Sequence, residues 1–330
     1  MANWATATFS AAFDAVKKAA SRLVTRRVKS TPFPEKNGSR PFNASGVACV
    51  ARRRFIFIDN NDPSALFEFE LDADGNDVER IRRRPLAGLA EGRLRDPEGL
   101  CRIDVNGEIV LITASSLCVG GTSRSGHQQV SDGLVRVRYR PAGDLHAEAM
   151  DGFRDWLLLQ EPSLAEAAEK DPDAGGLNIE GLAWDPRAQV LLLGQRGPAT
   201  PGQISVIKVP VDAGAAPWAT SSLGATSIMR VNVPQSIVTQ GIRDMSFDDW
   251  VGGFLIVLGR SDSRGDEPFQ LCTWDGDDAS VRLLDVRFHR SMKPEGIATF
   301  STGDKKKVMV VDDGGGYAVL RAREEWRSGA

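Results

Sequence analysis

Short, unbroken apolar runs recur along the chain: Phe55–Ile58, Ile109–Ile112, Val190–Leu193, Phe254–Leu258 and Val308–Val311. Each follows a shorter strand-like stretch and a turn, of which Asn106-Gly107 is the clearest hairpin signal. A more openly alternating run comes next in "LFEFEL" (66–71), "LVRVRY" (134–139) and "ISVIKV" (204–209). A fourth is readable in "VERIRR", "TSIMRVNV" and "VRLLDVRF". Continuous runs of this length predict strands buried on both faces, and alternating runs predict strands with one wet face. The repeated order is therefore a buried second strand with half-exposed strands outside it.

A short motif sets the phase of the repeat. "DPEGL" occupies 96–100, "NIEGL" 178–182 and "KPEGI" 293–297. Aligned on the glycine, the units centre on Gly46, Gly99, Gly181, Asp244 and Gly296. Four antiparallel strands repeated at such intervals describe an all-β chain forming a single β-propeller, here over residues 41–330. Five units are recognisable, and the interval from 99 to 181 is long enough to hold a sixth. Within it, "GFRDWLLLQEPSLAEAAEK" predicts an outer strand and then a short helix, with Ser163 as N-cap and Glu166 at N3. The last unit lacks a fourth strand after Tyr317–Arg323, and Arg22–Ser30 is expected to close the ring.

Charge separates the first 40 residues from the rest. They carry eight Lys/Arg against two Asp/Glu, in a chain of net charge −3. This basic N-terminal extension reads as an amphipathic helix over Ala11–Val28, with Phe13, Val16, Ala20 and Leu23 on one side, or as the ring-closing segment. A helix of that kind suits a membrane surface or a partner, or packs on the acidic remainder of its own chain. The overall acidity argues against a nucleic-acid partner, and "RIRRRP" (80–85) reads as a solvated edge. No apolar run is long enough to span a bilayer. Asp14 and Lys17 interrupt any secretory apolar segment, so a cytoplasmic location is expected.

The topology predicts where chemistry gathers. The first strand starts, and the second ends, on one face of the disc, so Glu98, Glu180 and Glu295 should crowd one mouth of the channel. Ser45 and Arg243 occupy the same column in the other two units, with Asp244 beside Arg243. Polar tips of the second strands reach that mouth too: Asp59, Asn60 and Asn61; Ser115 and Ser116; Gln195 and Arg196; Arg260 and Ser261; Asp312 and Asp313. Converging carboxylates repel, and three things relieve that: a hard cation such as Ca²⁺ on oxygen ligands, arginine pairing by Arg196, Arg243 or Arg260, or a raised glutamate pKa. Glu98, Glu180 and Glu295 are thus metal candidates. Ser115, Arg196, Arg243, Asp244, Arg260 and Asp312 are candidate contacts for a small polar or anionic ligand. A purely structural role, with the glutamates fastening neighbouring units, accounts for the same motif. His127, His146 and His289 show no metal spacing, and no GxSxG elbow, phosphate-binding loop or dinucleotide fingerprint is present.

The stretches "LITASSLCVGGTSRSG", "GGLNIEGLAWDPRAQVLLLGQRGP", "QGIRDMSFDDWVGGFLIVLG" and "KPEGIA", in this order, resemble a bacterial propeller family classed as a domain of unknown function. The resemblance spans about residues 43–323 and implies the propeller fold. More distantly, the EGL units are similar to phytase-like propellers, the esterase-like activity of phytase group. That likeness implies calcium at channel-mouth carboxylates, here Glu98, Glu180 and Glu295, and hydrolysis of a phosphate or carboxylic ester. Ser45 and Arg243 leave the acidic ring incomplete. An interaction scaffold without catalysis is the other function this pattern supports.

Cys49, Cys101, Cys118 and Cys272 show no CxxC spacing and suit a reducing compartment. Thiol titration of the denatured, unreduced protein should find four free thiols; finding none would overturn that expectation.

Overall fold

The computed structural model describes residues 27–34, 41–122, 128–234 and 236–327. The expected helix over 11–28 lies almost wholly outside the described residues, as does His127.

After the short β1 (Thr31–Pro32), the chain builds four-stranded antiparallel units. The first holds β2 (Ala44–Ala51), β3 (Arg54–Asp59), β4 (Ala65–Leu71) and β5 (Val78–Ala87). In the second, β6 (Pro97–Val105) and β7 (Glu108–Ser115) are followed by a small hairpin, β8 (Val119–Thr122) and β9 (Gln128–Val130), before β10 (Leu134–Arg138) and β11 (Leu145–Met150), and the parallel pairing of β11 with β5 joins the first two units into one eight-stranded sheet. Next come β12 (Asn178–Asp185), β13 (Val190–Gly197), β14 (Gln203–Pro210) and β15 (Ser227–Asn232), then β16 (Gln240–Asp248), β17 (Gly253–Arg260), β18 (Gln270–Trp274) and β19 (Arg282–Leu283). The last unit has β20 (Pro294–Thr302), β21 (Lys305–Asp312) and β22 (Gly316–Arg321), with β1 as its outermost strand. The innermost strands β2, β6, β12, β16 and β20 pack side by side in that cyclic order. The fold is a β-propeller, as the repeat predicts, with five units among the described residues.

Hydrophobic burial explains the continuous second strands. Between each pair of neighbouring units lies a separate apolar core, and each second strand serves two of them. Phe55 and Phe57 of β3 pack toward the last unit, while Ile56 and Ile58 pack toward the second. In β17, Phe254, Ile256 and Leu258 face the third unit, and Leu255 and Val257 face the fifth. A strand with apolar neighbours on both sides has no wet face to alternate with. The core joining the last and first units is aromatic: Phe33 stacks on Phe57 at 4.9 Å, and Phe55 meets Phe300 edge-on at 5.0 Å.

The ring is closed by polar contacts as well. Thr31 and Pro32 pair with Tyr317 and Gly316. Strand pairing thus begins just after the segment expected to supply it, and Val28 instead bridges Phe288. The buried ammonium of Lys307 donates to the carbonyls of Asp74 and Gly75 and to Asn76 Oδ1, all in a hairpin of the first unit. Val78 N–H donates to the Tyr317 hydroxyl at 2.9 Å.

The interval from 99 to 181 corrects two sequence expectations. Its outer strand is Leu145–Met150, and "FRDWLLLQ" is the helix α1 (Phe153–Gln160), not a strand. Phe153 and Leu157 lie one helical turn apart and both are buried, and Asp132 Oδ1 accepts from Arg154 N–H at 2.9 Å. A helical stripe only two apolar residues wide has the same apolar content as a strand face. Ser163 is not an N-cap, because a 3-10 turn over Pro162–Leu164 runs directly into α2 (Ala165–Ala168). Among the described residues of this interval there is no further four-stranded unit.

The motif glycines answer to close approach. A Cβ on Gly99 would stand 2.3 Å from Leu182 Cβ and 2.9 Å from its backbone nitrogen. On Gly296 it would stand 3.0 Å from the Val47 nitrogen. Gly99→Ala should therefore destabilise the fold by about 1–3 kcal/mol through overpacking of inner strands, measured by denaturant unfolding. Gly107→Ala, at a solvent-facing turn of φ 83° with nothing near its missing Cβ, should cost only about 1 kcal/mol, from the left-handed backbone alone.

Candidate functional site

In every unit the ladder between the first two strands slips by one residue. The residues left unpaired at this common slip are Gly46, Glu98, Glu180, Arg243 and Glu295, and the ladders slip again at Val50 in the first unit and Arg196 in the third. A β-bulge re-aims the extra residue, and on an innermost strand that direction is the axis. The first unit corrects the alignment: its bulged residue is Gly46, at φ 45°, not Ser45. Gly46 thus stands in the glutamate column, where a Cβ would meet Glu98 O at 2.6 Å.

The bulges gather the three glutamates at one mouth, with one oxygen from each within 4.8 Å of the others. Arg243, from the fourth unit, lies among them. Its Nε donates to Glu295 Oε2 at 2.9 Å, and its terminal nitrogen donates to Glu295 Oε1. The same Nε stands 2.9 Å from Glu180 Oε2, as an ion pair without hydrogen-bond alignment. Arg196 donates to Glu180 Oε1 at 2.7 Å, and Asn178 Nδ2 adds a bond at 3.2 Å. Glu98 differs from the other two. It accepts from Ser45 Oγ at 3.0 Å and Asn60 Nδ2 at 3.4 Å, and no ion pair reaches it among the described residues.

Charge and burial then decide protonation. Each ionised pair at this spacing repels by roughly 3–4 kcal/mol at an effective dielectric constant of 20. Three carboxylates against two guanidinium groups leave one excess negative charge. Burial pushes Glu98 well above the carboxylate range, and Glu180, Asp96 and Glu295 push it further. Burial also raises Glu295 to about 8, against the opposing pull of Arg243. The cluster therefore holds a proton at neutral pH, shared within a coupled set.

The other expected residues have other roles. Asp244, fully buried, accepts from Ile297 N–H of the fifth unit at 2.7 Å, and the amides of Met245 and Leu182 also favour its charged form against a burial that raises its pKa. It fastens units and does not face the axis. Asp312 accepts from Lys293 N–H at 2.8 Å and Gly314 N–H at 3.2 Å, capping a turn. Asp59 does the same for Asn43 and Asn61. Ser115 is buried with its hydroxyl unpartnered. Arg260 offers its carbonyl to Arg196 Nε at 3.3 Å, while its side chain lines a separate cleft. Gln195, expected at the mouth, is buried in the ladder beside Glu180, and Asn178, which was not among the expected contacts, adjoins Glu180 in sequence. Asn178 stands two residues before Glu180 on the same strand face, which was the available signal.

The trio offers a hard cation oxygen donors of the right element and spacing. Two of its three members, however, already hold guanidinium groups, and an ion bound by all three would stand against Arg243. The donor set as a whole does not fit a resident calcium ion.

No protein-family model matches the chain, and no curated protein matches it. Solved structures do. A GH43 β-1,3-galactosidase with galactodeoxynojirimycin superposes with a TM-score of 0.50 at 9% identity, covering 90% of this chain and 95% of that one. The major Malassezia sympodialis allergen Mala s 1 gives 0.46 at 10%, covering 85% and 92%. The WD40 β-propeller domain of Doa1 gives 0.38 at 8%, covering 92% and 99%. At these identities the likeness is one of fold.

Two outcomes follow from the pairing. Arg243→Ala strands Glu180 and Glu295 and should destabilise the protein by about 3–5 kcal/mol at neutral pH. Glu295 is raised in the folded state, so its contribution is fully present below its unfolded pKa of about 4.3 and is lost as pH climbs through about 8. Denaturant unfolding from pH 4.5 to 8.5 should show that loss in the wild type and a flatter profile in Glu295→Gln.

Proposed function

We propose that this propeller is a ligand-binding protein whose axial mouth receives a small donor-bearing, positively charged group at Glu98. The observation that carries the reading is the uneven pairing of the three carboxylates. Glu180 and Glu295 are ion-paired to arginine, and among the described residues Glu98 is not. Beside it Asn60 Oδ1 is a buried acceptor without a partner, and Asn178 Oδ1, on the residue that bonds Glu180, is another. Buried acceptors left unpaired cost about 1–3 kcal/mol each, and a group carrying several N–H donors would recover that. An ammonium ion would displace the proton the cluster shares and match the one excess negative charge this leaves, whereas an anion placed directly on these oxygens meets repulsion. The phytase-like likeness and its ester hydrolysis find less support here, because Arg243 occupies the position a bridging cation would need.

A second reading has its own observation. Glu180, Arg243 and Glu295 belong to three consecutive units and are joined in one chain of ion pairs. On that reading the mouth fastens the ring, and the molecule is an interaction scaffold.

Thermal unfolding separates the two. Ethanolamine and methylammonium should stabilise the wild type, by about 2.7 kcal/mol at a hundred times the dissociation constant. Glu98→Gln should abolish that shift while leaving the apo stability within about 1 kcal/mol, and Ca²⁺ should give none. No shift with either amine, or a shift that persists in Glu98→Gln, would favour the fastening role.

A further inference from the structure

A cleft of about 440 Å³ opens between the fourth unit and the segment that leads out of it, lined by Arg260, Phe269, Gln270, Phe288 and Arg290 and walled on one side by Arg27. Its size falls within the range of small-molecule sites. The N-terminal segment holds it in place: Val28 N–H donates to Arg287 O, and His289 N–H donates to Val28 O, both at 2.7 Å.

Its charges are unbalanced. Arg287 pairs with Asp285 at 3.8 Å. Among the described residues, no ion pair engages Arg27, Arg260 or Arg290, and none links them to Asp266 or Glu267, which also line the cleft. Arg260 carries the decisive detail: its Nε is buried and has no hydrogen-bond partner. A guanidinium N–H removed from water with nothing to receive it is a standing cost to the fold, which the side chain would shed by turning its planar fork onto a bound anion. The adjoining surface is apolar and partly aromatic. Phe269 lies under Arg243 at 6.0 Å, and Phe288 is buried.

We propose that this cleft is a second binding site, for a small organic anion with a flat apolar body, the anionic group on Arg260 and Arg290 and the body against Phe269 and Phe288. The axial mouth selects positive charge and this cleft negative charge, so the two are independent sites.

Calorimetric titration of the full chain tests this with three probes: phenyl phosphate, inorganic phosphate and benzyl alcohol. Phenyl phosphate should bind saturably, and each of the others at least tenfold more weakly. Arg260→Met should weaken phenyl phosphate at least tenfold, and the exposed Arg290→Glu should weaken it as well. Should Arg260→Met fail to fold, Arg290→Glu decides alone. Absence of saturable phenyl phosphate binding, equal affinity for benzyl alcohol, or an affinity unchanged in the folded arginine variants overturns the assignment. Displacement of phenyl phosphate by ethanolamine would overturn the independence of the two sites.

Discussion

Arg243 is placed where three carboxylates converge, and much of the upper face is arranged around that fact. Five inner strands approach a common axis, and each carries one bulged residue that must point into the shared space. Five side chains of full size and like charge could not occupy it. The chain resolves this with one glycine, three glutamates and one arginine. The glycine, Gly46, yields room, and the arginine neutralises its neighbours on either side. The pairing is directional, since Arg243 reaches one unit back to Glu180 and one unit forward to Glu295. Glu98, two units away, takes only the hydroxyl and amide of the first unit, and the functional asymmetry of the mouth descends from that distance.

The same crowding explains the residue that follows each bulge. Gly99, Gly181 and Gly296 lie where a Cβ would collide with the next inner strand or its own partner strand. Unit four puts Asp244 there instead, and its carboxylate collects amides from the strands on either side. A polar fastening thus replaces close apolar contact at one position of the ring. Glutamate was the residue expected to fasten neighbouring units by backbone hydrogen bonds; the buried aspartate next to Arg243 performs that part.

The propeller was legible because its burial is written twice in each unit. A second strand such as "FLIVL" feeds two cores and cannot alternate, while "LFEFEL" beside it can. The convergence of Glu98, Glu180 and Glu295 followed from strand direction alone. What the pattern could not show was register. A bulge is an insertion of one residue, invisible when one glycine resembles another, so the sequence aligns Gly46 with Gly99, although as the bulged residue of its ladder it is the equivalent of Glu98. "FRDWLLLQ" misled for a related reason: eight residues with buried Phe153 and Leu157 satisfy a helix, and the same apolar content satisfies a strand. Tips such as Asp59 and Asp312 pointed the right way along the chain, but their carboxylates are consumed by the turns that follow them.

Arginine placement shows why charge at a site cannot be judged from composition. Arg196 and Arg260 lie near the ends of second strands and Arg243 within an inner strand, all toward one mouth, and as a set they suggest an anion. Once placed, the first two are bound to glutamate, and only Arg260 keeps an unspent buried donor, which lines a different cleft. A guanidinium already carrying a carboxylate offers little to a second anion, because the Coulomb gain has been taken and the desolvation already paid. The axis is left with an acceptor surplus at Glu98, and the flank of the fourth unit with a donor surplus at Arg260. Surpluses of opposite sign, one on the axis and one on the flank of the fourth unit, would favour ligands of opposite charge.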